Sequence, residues 1–393
     1  MRGFFASSVI RQEKPIGLIP KCGSCGLFKT CNSPKMVVEG AGAEQVLVVG
    51  EAPGVAEDED GRLFVGKAGQ YLRQALRGLG VKVTRDAWLT NALICHPPES
   101  ATPTAKQIAC CRPNILRTIE ENAPRVILTL GWAALASVIG PYWKSDVGPL
   151  ERWVGWKIPL EKHWVIPTYH PTFLMRMQNS LLDRLFADHL EMAFDVTRMP
   201  PKFVDWSSQV ELLYDEDAIR DALREMAESE WAAFDYEANC LKPEYPKARL
   251  FSCSVSNGKR TVSFLWTPAV QEMMSEFLRS DALKIASNLK MEERWSRKFI
   301  GHGAKRWGWD TMLAAHCLDN RPGICSLKFQ SLVKMGVPIY NRHLEPYLES
   351  HGDGHYNRIQ EISHKDLLTY GGLDSLLEYK LMRIQRKEMG YEN

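Results

Sequence analysis

The sequence predicts two α/β domains in tandem, and three observations carry that prediction. Short apolar runs, among them Val46-Leu-Val-Val49, Pro124-Arg-Val-Ile-Leu-Thr-Leu-Gly131 and Trp164-Val-Ile-Pro-Thr-Tyr169, alternate with stretches of helical apolar spacing. Continuous apolar runs of that length are the signature of parallel strands covered on both faces. At 393 residues the chain exceeds what one ordinary core organises, and either half could bury its own. The helical spacing of Leu182, Leu185, Phe186, Leu190 and Phe194 stops at Pro200-Pro201, and new strand and helix patterns follow. The expected organisation is therefore a domain over residues 1–199, a linker over 200–209 and a second domain over 210–393, with no internal repeat and no low-complexity tract.

Composition narrows the classes. Apolar residues make up 45% and charged residues 24%, ordinary values for a globular protein in water. A net charge of +2 gives no bulk electrostatic argument for nucleic-acid binding and leaves only local patches. Met1-Arg-Gly-Phe-Phe reaches Arg11, Glu13 and Lys14 too soon for a signal peptide. Ten cysteines without such a signal point to a reducing, cytoplasmic compartment, in a bacterial or phage-like context. Val126 to Trp143 is apolar enough to raise a membrane question, but Gly131, Ser137, Gly140 and Pro141 interrupt it. A strand and turn leading into a short buried helix fit it better, and no membrane partner is expected.

In chain order, Cys22 and Cys25 stand at C-x-x-C spacing, with Cys31 nearby and Cys95, Cys110 and Cys111 far downstream. Four thiolates from two regions can hold zinc or an iron–sulfur cluster, and composition does not choose between them. The run Val46–Val49 delivers Glu51 to a strand's carboxyl end, where open α/β sheets build ligand sites. Gly50 and Gly54 permit tight turning and Pro53 stiffens the loop. Phe64 follows, then helical spacing from Ala68, while the acidic tip Glu57 to Asp60 reads as solvated loop charge. A plain βα loop is the competing interpretation. Trp88-Leu-Thr-Asn-Ala-Leu-Ile-Cys95 reads as a second strand, and Asn91 offers a donor and an acceptor suited to an amide-like edge, or simply a turn cap. A further strand delivers His170-Pro171, where proline fixes the loop behind the histidine.

The motifs GEAPG, E-D-x-x-G-x-x-F-V-G-x-A-G, T-N-x-x-x-C-x-P-P, C-R-P before a helix and T-Y-H-P resemble, in order and rough spacing, the family-4, iron–sulfur uracil-DNA glycosylases. The resemblance covers Lys21 to Arg176. It implies a uracil-DNA-glycosylase-like α/β/α sandwich with a parallel sheet. It also implies a 4Fe–4S cluster on Cys22, Cys25, Cys95 and Cys111, the last chosen because the family's ligand directly precedes Arg-Pro. Cys31 and Cys110 are then extra, buried thiols. Enzymes of this kind flip the target nucleotide into a pocket. Phe64 would stack on uracil and Asn91 would read its Watson–Crick edge. His170 would bond the uracil oxygen that gains charge, and Glu51 would orient water and stabilise the cationic sugar. With no pocket lysine expected for a Schiff base, the implied reaction is hydrolysis to free uracil and an abasic site. Three departures stand out. Leu63 replaces the proline usual before the stacking aromatic. Glu151-Arg-Trp-Val-Gly155 lies where Arg-Gly is usual. Only the short Glu99-Ser-Ala-Thr-Pro-Thr104 stands where a related crosslinking branch carries an arginine-rich insertion.

In the second half, Asp215 to Ser229 has helical spacing and Trp231 to Ala238 reads as a strand. Asp235 and Glu237, two apart on a strand, share a face. They form either a cation site or a solvent-facing pair. Lys284 to Glu292 reads as a strand entering a helix, and Tyr370 and Asp374 stand one helical turn apart. The D-x-E, N-L-K-x-acid and Y-x-x-x-D order resembles the DEDDy 3′–5′ exonucleases of the proofreading type, over Glu230 to Met389. That implies a ribonuclease-H-like α/β domain in which Asp235, Glu237, Glu292 and Asp374 bind two ions, Mg2+ or Mn2+, and Tyr370 positions the attacking water. Asp310 is assigned a helix-capping role, and Glu292 departs from the usual aspartate. The combined reading is a bifunctional enzyme acting on uracil-containing DNA and on 3′ ends, serving a separately encoded DNA polymerase. Two alternatives are a proofreading nuclease whose first half is a non-catalytic docking module, and a zinc-stabilised DNA binder.

Overall fold

The computed structural model describes residues 21–144, 146–195, 199–202, 204–350 and 355–391. Residues 1–20, on which the absence of a leader was argued, and Phe203 of the expected linker lie outside them. Contacts divide the chain into one unit of Ser7–Phe203 with Leu332–Pro338, and another that takes in Val204–Ser331 and Ile339–Asn393.

In the first unit, β1 (Val46–Gly50), β2 (Ala87–Asn91), β3 (Val126–Leu130), β4 (Ile158–Leu160) and β5 (His163–Thr168) form one sheet in the order β2-β1-β3-β5-β4. All neighbours are parallel except β4, which runs antiparallel to β5. Every residue of β1 and β3 is buried, as the apolar runs require. On one face Val46, Val48 and Leu128 share a core with Leu72 and Leu76 of the Lys67–Gly78 helix and Phe186 and Leu190 of the Ser180–Asp195 helix. The Trp132–Ile139 helix is buried from Ala133 onward, which explains the apolar stretch without a membrane. Among the described residues no helix is long and apolar enough to cross one. One expectation shifts, and one strand is added. β2 ends at Asn91, not Cys95, because the chain folds back and Ala92 and Leu93 donate to the Gly50 and Glu51 carbonyls at 2.8 and 3.0 Å. The three-residue β4, too short for any alternation to show, joins the sheet edge.

Neighbouring β1 and β3 lead on to opposite sides of the sheet, β1 to β2 and β3 to β4 and β5. Such a switch point opens a crevice at the strands' carboxyl ends. Glu51 leaves β1 there, and Gly131 leaves β3 beside it.

The second unit carries β6 (Val210–Leu213), β7 (Trp231–Ala238), β8 (Leu250–Ser256), β9 (Thr261–Leu265), β10 (Leu283–Ala286) and β11 (Trp307–Asp310) in the order β11-β10-β7-β8-β9-β6. β8 is antiparallel to both neighbours and the remaining pairs are parallel, the mixed, ribonuclease-H-like sheet that was expected. Phe234, Tyr236, Val255, Phe264, Phe277 and Trp295 fill its core. The predicted 215–229 helix spans Glu216–Ala227, and Asp215 caps it by accepting the Ala218 N–H at 2.9 Å. The long His364–Glu388 helix, buried along Leu367, Leu368 and the run from Gly371 to Glu378, presents Tyr370 and Asp374 on successive turns.

Candidate active sites

Glu51, Phe64, Asn91 and His170, four side chains from three strand ends and one loop, line one cleft of about 610 Å³ in the first unit. That is the size of ordinary ligand sites. Glycine makes the convergence possible. A Cβ on Gly50 would meet Asn91 Oδ1 at 2.2 Å and Phe64 Cζ at 2.9 Å, and one on Gly69 would meet the Phe64 carbonyl oxygen at 2.0 Å. Phe64 itself has φ +55°, a left-handed conformation that a bulky residue rarely adopts and that concentrates at functional sites. Two hydrogen bonds hold it there: the Leu63 N–H donates to Glu39 Oε1 at 2.6 Å, and Arg73 Nε donates to the Phe64 carbonyl at 3.3 Å.

Glu51 lies against Gly131, whose φ is +87° and whose added Cβ would stand 2.5 Å from Glu51 Oε1. The same oxygen accepts the Ala133 N–H, in the first turn of the Trp132–Ile139 helix, at 3.3 Å. His170 caps the Pro171–Met177 helix: the Thr172 N–H donates to its Nδ1 at 3.3 Å, so Nε2 carries the proton of the neutral ring. Burial lowers the His170 pKa, against the raising influence of Glu51 and then Glu57. A neutral imidazole is thereby favoured.

Three features of the cleft differ from expectation. Glu57 and Asp58 are buried, not solvated. Glu57 accepts the Gly66 and Gly54 N–H groups at 2.8 and 3.1 Å, and Asp58 those of Ser33 and Asn32 at 2.9 and 3.0 Å. They lie not in a loop but in a short helix, Val55–Asp60, whose surroundings they brace through backbone donors that a sequence does not display, leaving Glu59 and Asp60 exposed at its end. Lys67, exposed at the start of its helix, lines the cleft, contrary to the lysine-free pocket. Arg176, also exposed, lines it too and was not singled out.

Cys22, Cys25, Cys95, Cys110 and Cys111 line a second, smaller cavity with Leu27, Phe28, Leu93 and Ile94. Cys22 and Cys25 open and close a four-residue helical turn, while Cys110 and Cys111 sit in the Ala105–Asn122 helix. The Lys35 N–H, on a residue with φ +57°, donates to Cys95 Sγ at 3.3 Å, and Asn114 Nδ2 donates to Cys111 Sγ at 3.4 Å. Burial pushes the Cys95 thiol up to about 12 and raises that of Cys111. An all-sulfur donor set whose thiolates are disfavoured by burial suits a soft cationic centre. Among the described residues the single-ion spacing is met by the carboxylate trio of the second unit and not by these thiols, so the residues present fit a larger cluster.

In the second unit, Asp235, Glu237 and Asp374 bring carboxylate oxygens within 4.8 Å of one another, a spacing that fits a shared cation. Burial, then the Asp374 charge, pushes Asp235 up to about 8; burial, then Asp235, raises Glu237. Glu292 stands outside that trio. It is buried beside Asp235, which with burial raises its pKa, and its Oε2 has no hydrogen-bond partner. Glu378, one turn beyond Asp374 and not anticipated, accepts the Ser287 N–H at 2.9 Å through Oε1 and leaves Oε2 without a partner. Lys328 Nζ pairs with Asp374 Oδ2 and lies 3.2 Å from the Tyr370 hydroxyl, and Tyr340 donates to Asp374 Oδ1. Neither Lys328 nor Tyr340 was flagged in the sequence. Asp310 caps as expected, accepting from Met312, Leu313, Asn288 and Leu289 N–H groups.

A cleft at the switch point of a parallel sheet, lined by a carboxylate and a buried histidine, points to the class: the family model described as the uracil DNA glycosylase superfamily matches residues 38–193. Within that class the chain belongs to the type-4 uracil-DNA glycosylases. It is 36% identical over 180 residues to the type-4 enzyme of Thermotoga maritima, covering 44% of this chain and 88% of that one. Against the Pyrobaculum aerophilum type-4 enzyme it is 43% identical over 116 residues, 29% of this chain and 57% of that one. Among solved structures, Escherichia coli RNase D aligns at 14% identity and TM-score 0.35, covering 46% of each chain. Brucella melitensis NrnC bound to pGG aligns at 15% and 0.34, covering 46% of this chain and 80% of that one. Likenesses this slight carry no argument about function.

Proposed function

We propose that the first unit hydrolyses the glycosidic bond of deoxyuridine in DNA. The observation that carries this reading is the meeting of Glu51, Phe64, Asn91 and His170 in one cleft. A flipped uracil would stack on Phe64, already fixed in its left-handed backbone. Asn91 would pair with the amide-like edge of the base. His170, neutral and protonated at Nε2, would donate to the oxygen on which negative charge grows as the bond breaks. Glu51, held by the Ala133 N–H and the bare Gly131, would orient water and offset the cationic sugar. Lys67 and Arg176 supply positive charge for the DNA backbone. Cys22, Cys25, Cys95 and Cys111 would hold a 4Fe–4S cluster, which when bound ties the amino-terminal turn to the Ala105–Asn122 helix. Visible absorption with iron and sulfide in equal amounts supports the cluster; a colourless zinc protein contradicts it.

We propose further that the second unit is a metal-dependent 3′–5′ exonuclease. A divalent ion when bound would activate water and stabilise the leaving 3′ oxygen. Asp235, Glu237 and Asp374 would hold it, Glu292 would contribute a second-site oxygen, and Tyr370 would position the water. The two units, meeting in sequence near the expected 200–209 linker, would act on one substrate class, DNA, for a polymerase encoded separately. A labelled oligonucleotide with one uracil tests both readings. Alkali-dependent cleavage at uracil without added metal reports the glycosylase, and a metal-dependent ladder from the 3′ end reports the nuclease. Borohydride trapping of the DNA on Lys67 would show that lyase chemistry accompanies or replaces simple hydrolysis.

A further inference from the structure

The acidic centre of the second unit contains its own cation. Lys328, in the Leu327–Met335 helix, is only 18% exposed at its side chain, and Asp374 only 7%. Its ammonium pairs with Asp374 Oδ2 and sits 4.6 Å from the ring centroid of Tyr370 and 5.0 Å from that of Tyr340. The Tyr370 hydroxyl lies 3.2 Å from Nζ. A lysine held between two phenol rings and one carboxylate is fixed in place, unlike a surface lysine sampling solvent. Its charge also reaches Asp235 and Glu237. The carboxylate it engages is one of the three spaced to share a divalent ion.

We infer that Lys328 is a resident counter-cation of this centre and competes with the divalent ion for Asp374, so that metal arrival and lysine release are one event. The inference rests on the reading of Asp235, Glu237 and Asp374 as an ion site. A carboxylate already neutralised by an ammonium at contact distance offers less to an incoming ion, which must first break a mostly buried pair. Release also frees the Tyr370 hydroxyl, the group assigned to position water. At low free metal the lysine form holds both groups and keeps the centre out of its hydrolytic arrangement; at high metal the ion replaces the ammonium. Lys328 is a positioning residue in this scheme, since it acts through Asp374 and Tyr370.

The test is Mn2+ binding to the full chain, measured by calorimetry and by the loss of free-ion electron paramagnetic resonance signal, for wild type, Lys328→Met and Lys328→Arg. Lys328→Met is expected to bind Mn2+ roughly tenfold or more tightly, because the pair no longer has to be broken. Lys328→Arg, which keeps the charge, is expected to stay near wild type. Far-ultraviolet circular dichroism and a thermal melt of each variant check that the second unit remains folded. Equal or weaker binding in Lys328→Met, with wild type still binding, overturns the inference and leaves the ion site standing. Tightening of the same size in Lys328→Arg also overturns it, since loss of packing and not of charge would then be the cause. Failure of all three proteins to bind Mn2+ removes the ion site, and the inference falls with it.

Discussion

The two centres solve opposite electrostatic problems. In the first unit one functional carboxylate, Glu51, is held by a backbone N–H, and the charges that brace its loop, Glu57 and Asp58, are each matched to two backbone donors. In the second, Asp235, Glu237, Glu292, Asp374 and Glu378 crowd one region, and two of their buried oxygens have no partner at all. Backbone donors can stabilise fixed negative charge at constant geometry, whereas crowded carboxyls need protons or cations. The first centre is thus complete as a polypeptide and shaped for a neutral base. The second sets five crowded carboxyls around the ammonium of Lys328, which pairs with Asp374. This contrast predicts which treatments each activity survives.

The largest expected effect is a split by chelation. Removing divalent ions, or changing Asp235→Asn, is expected to abolish the 3′ ladder by more than about a hundredfold, while uracil release stays within about twofold. Parallel loss of both activities would erase the distinction. Next, Glu51→Gln is expected to lower the turnover of uracil release on the order of a hundredfold with little change in KM, since the group acts on the reacting sugar and not on binding; single-turnover kinetics measure it. Gly131→Ala comes third. Its Cβ would stand 2.5 Å from Glu51 Oε1 at a φ of +87°. Displacing Glu51 should reduce turnover about tenfold, and the strained backbone should lower stability by about 1 kcal/mol, read as a drop in Tm. The smallest effect is in pH. Because burial lowers the His170 pKa, the neutral ring persists as pH falls through the ordinary value of about 6.5, and protonation disables it only below that. The acid limb of uracil release should therefore lie below about pH 6.5, while an unperturbed histidine would place it there.

What the sequence disclosed depended on whether periodicity or distance carried the information. Asp235 and Glu237 were readable as one face because strand side chains alternate, and Tyr370 and Asp374 because they stand one helical turn apart. Glu378 carries the same signal one turn further along the helix and could have been found by extending the count. Glu51 was readable as the residue after a buried run. Gly131 was visible only as punctuation, because its purpose is the space it leaves for a side chain eighty positions away. Glu57 and Asp58 looked like solvated charge because their partners are backbone N–H groups, which every sequence possesses and none displays. Lys328 and Tyr340 reach Asp374 from a different segment, and no local pattern links them. The buried Trp132–Ile139 helix followed from patterning, the ribonuclease-H-like fold only from the resemblance of short carboxylate motifs, and the edge strand β4 was too short to register.

Leu63 stands where the resembling glycosylases usually carry proline, and the structure attaches a partner to the difference. Its N–H, which a proline would lack, donates to Glu39 Oε1 at 2.6 Å. Where proline fixes this stretch of chain by its ring, here a hydrogen bond from a residue 24 positions upstream does so. In this chain the two positions act as a coupled pair. Glu39→Ala and Leu63→Pro should each lower Tm, and together they should cost less than their sum by about 1 kcal/mol, because the second change removes a donor whose acceptor has already gone. A chain that has lost one of the two partners without the other change holds the backbone before Phe64 less firmly.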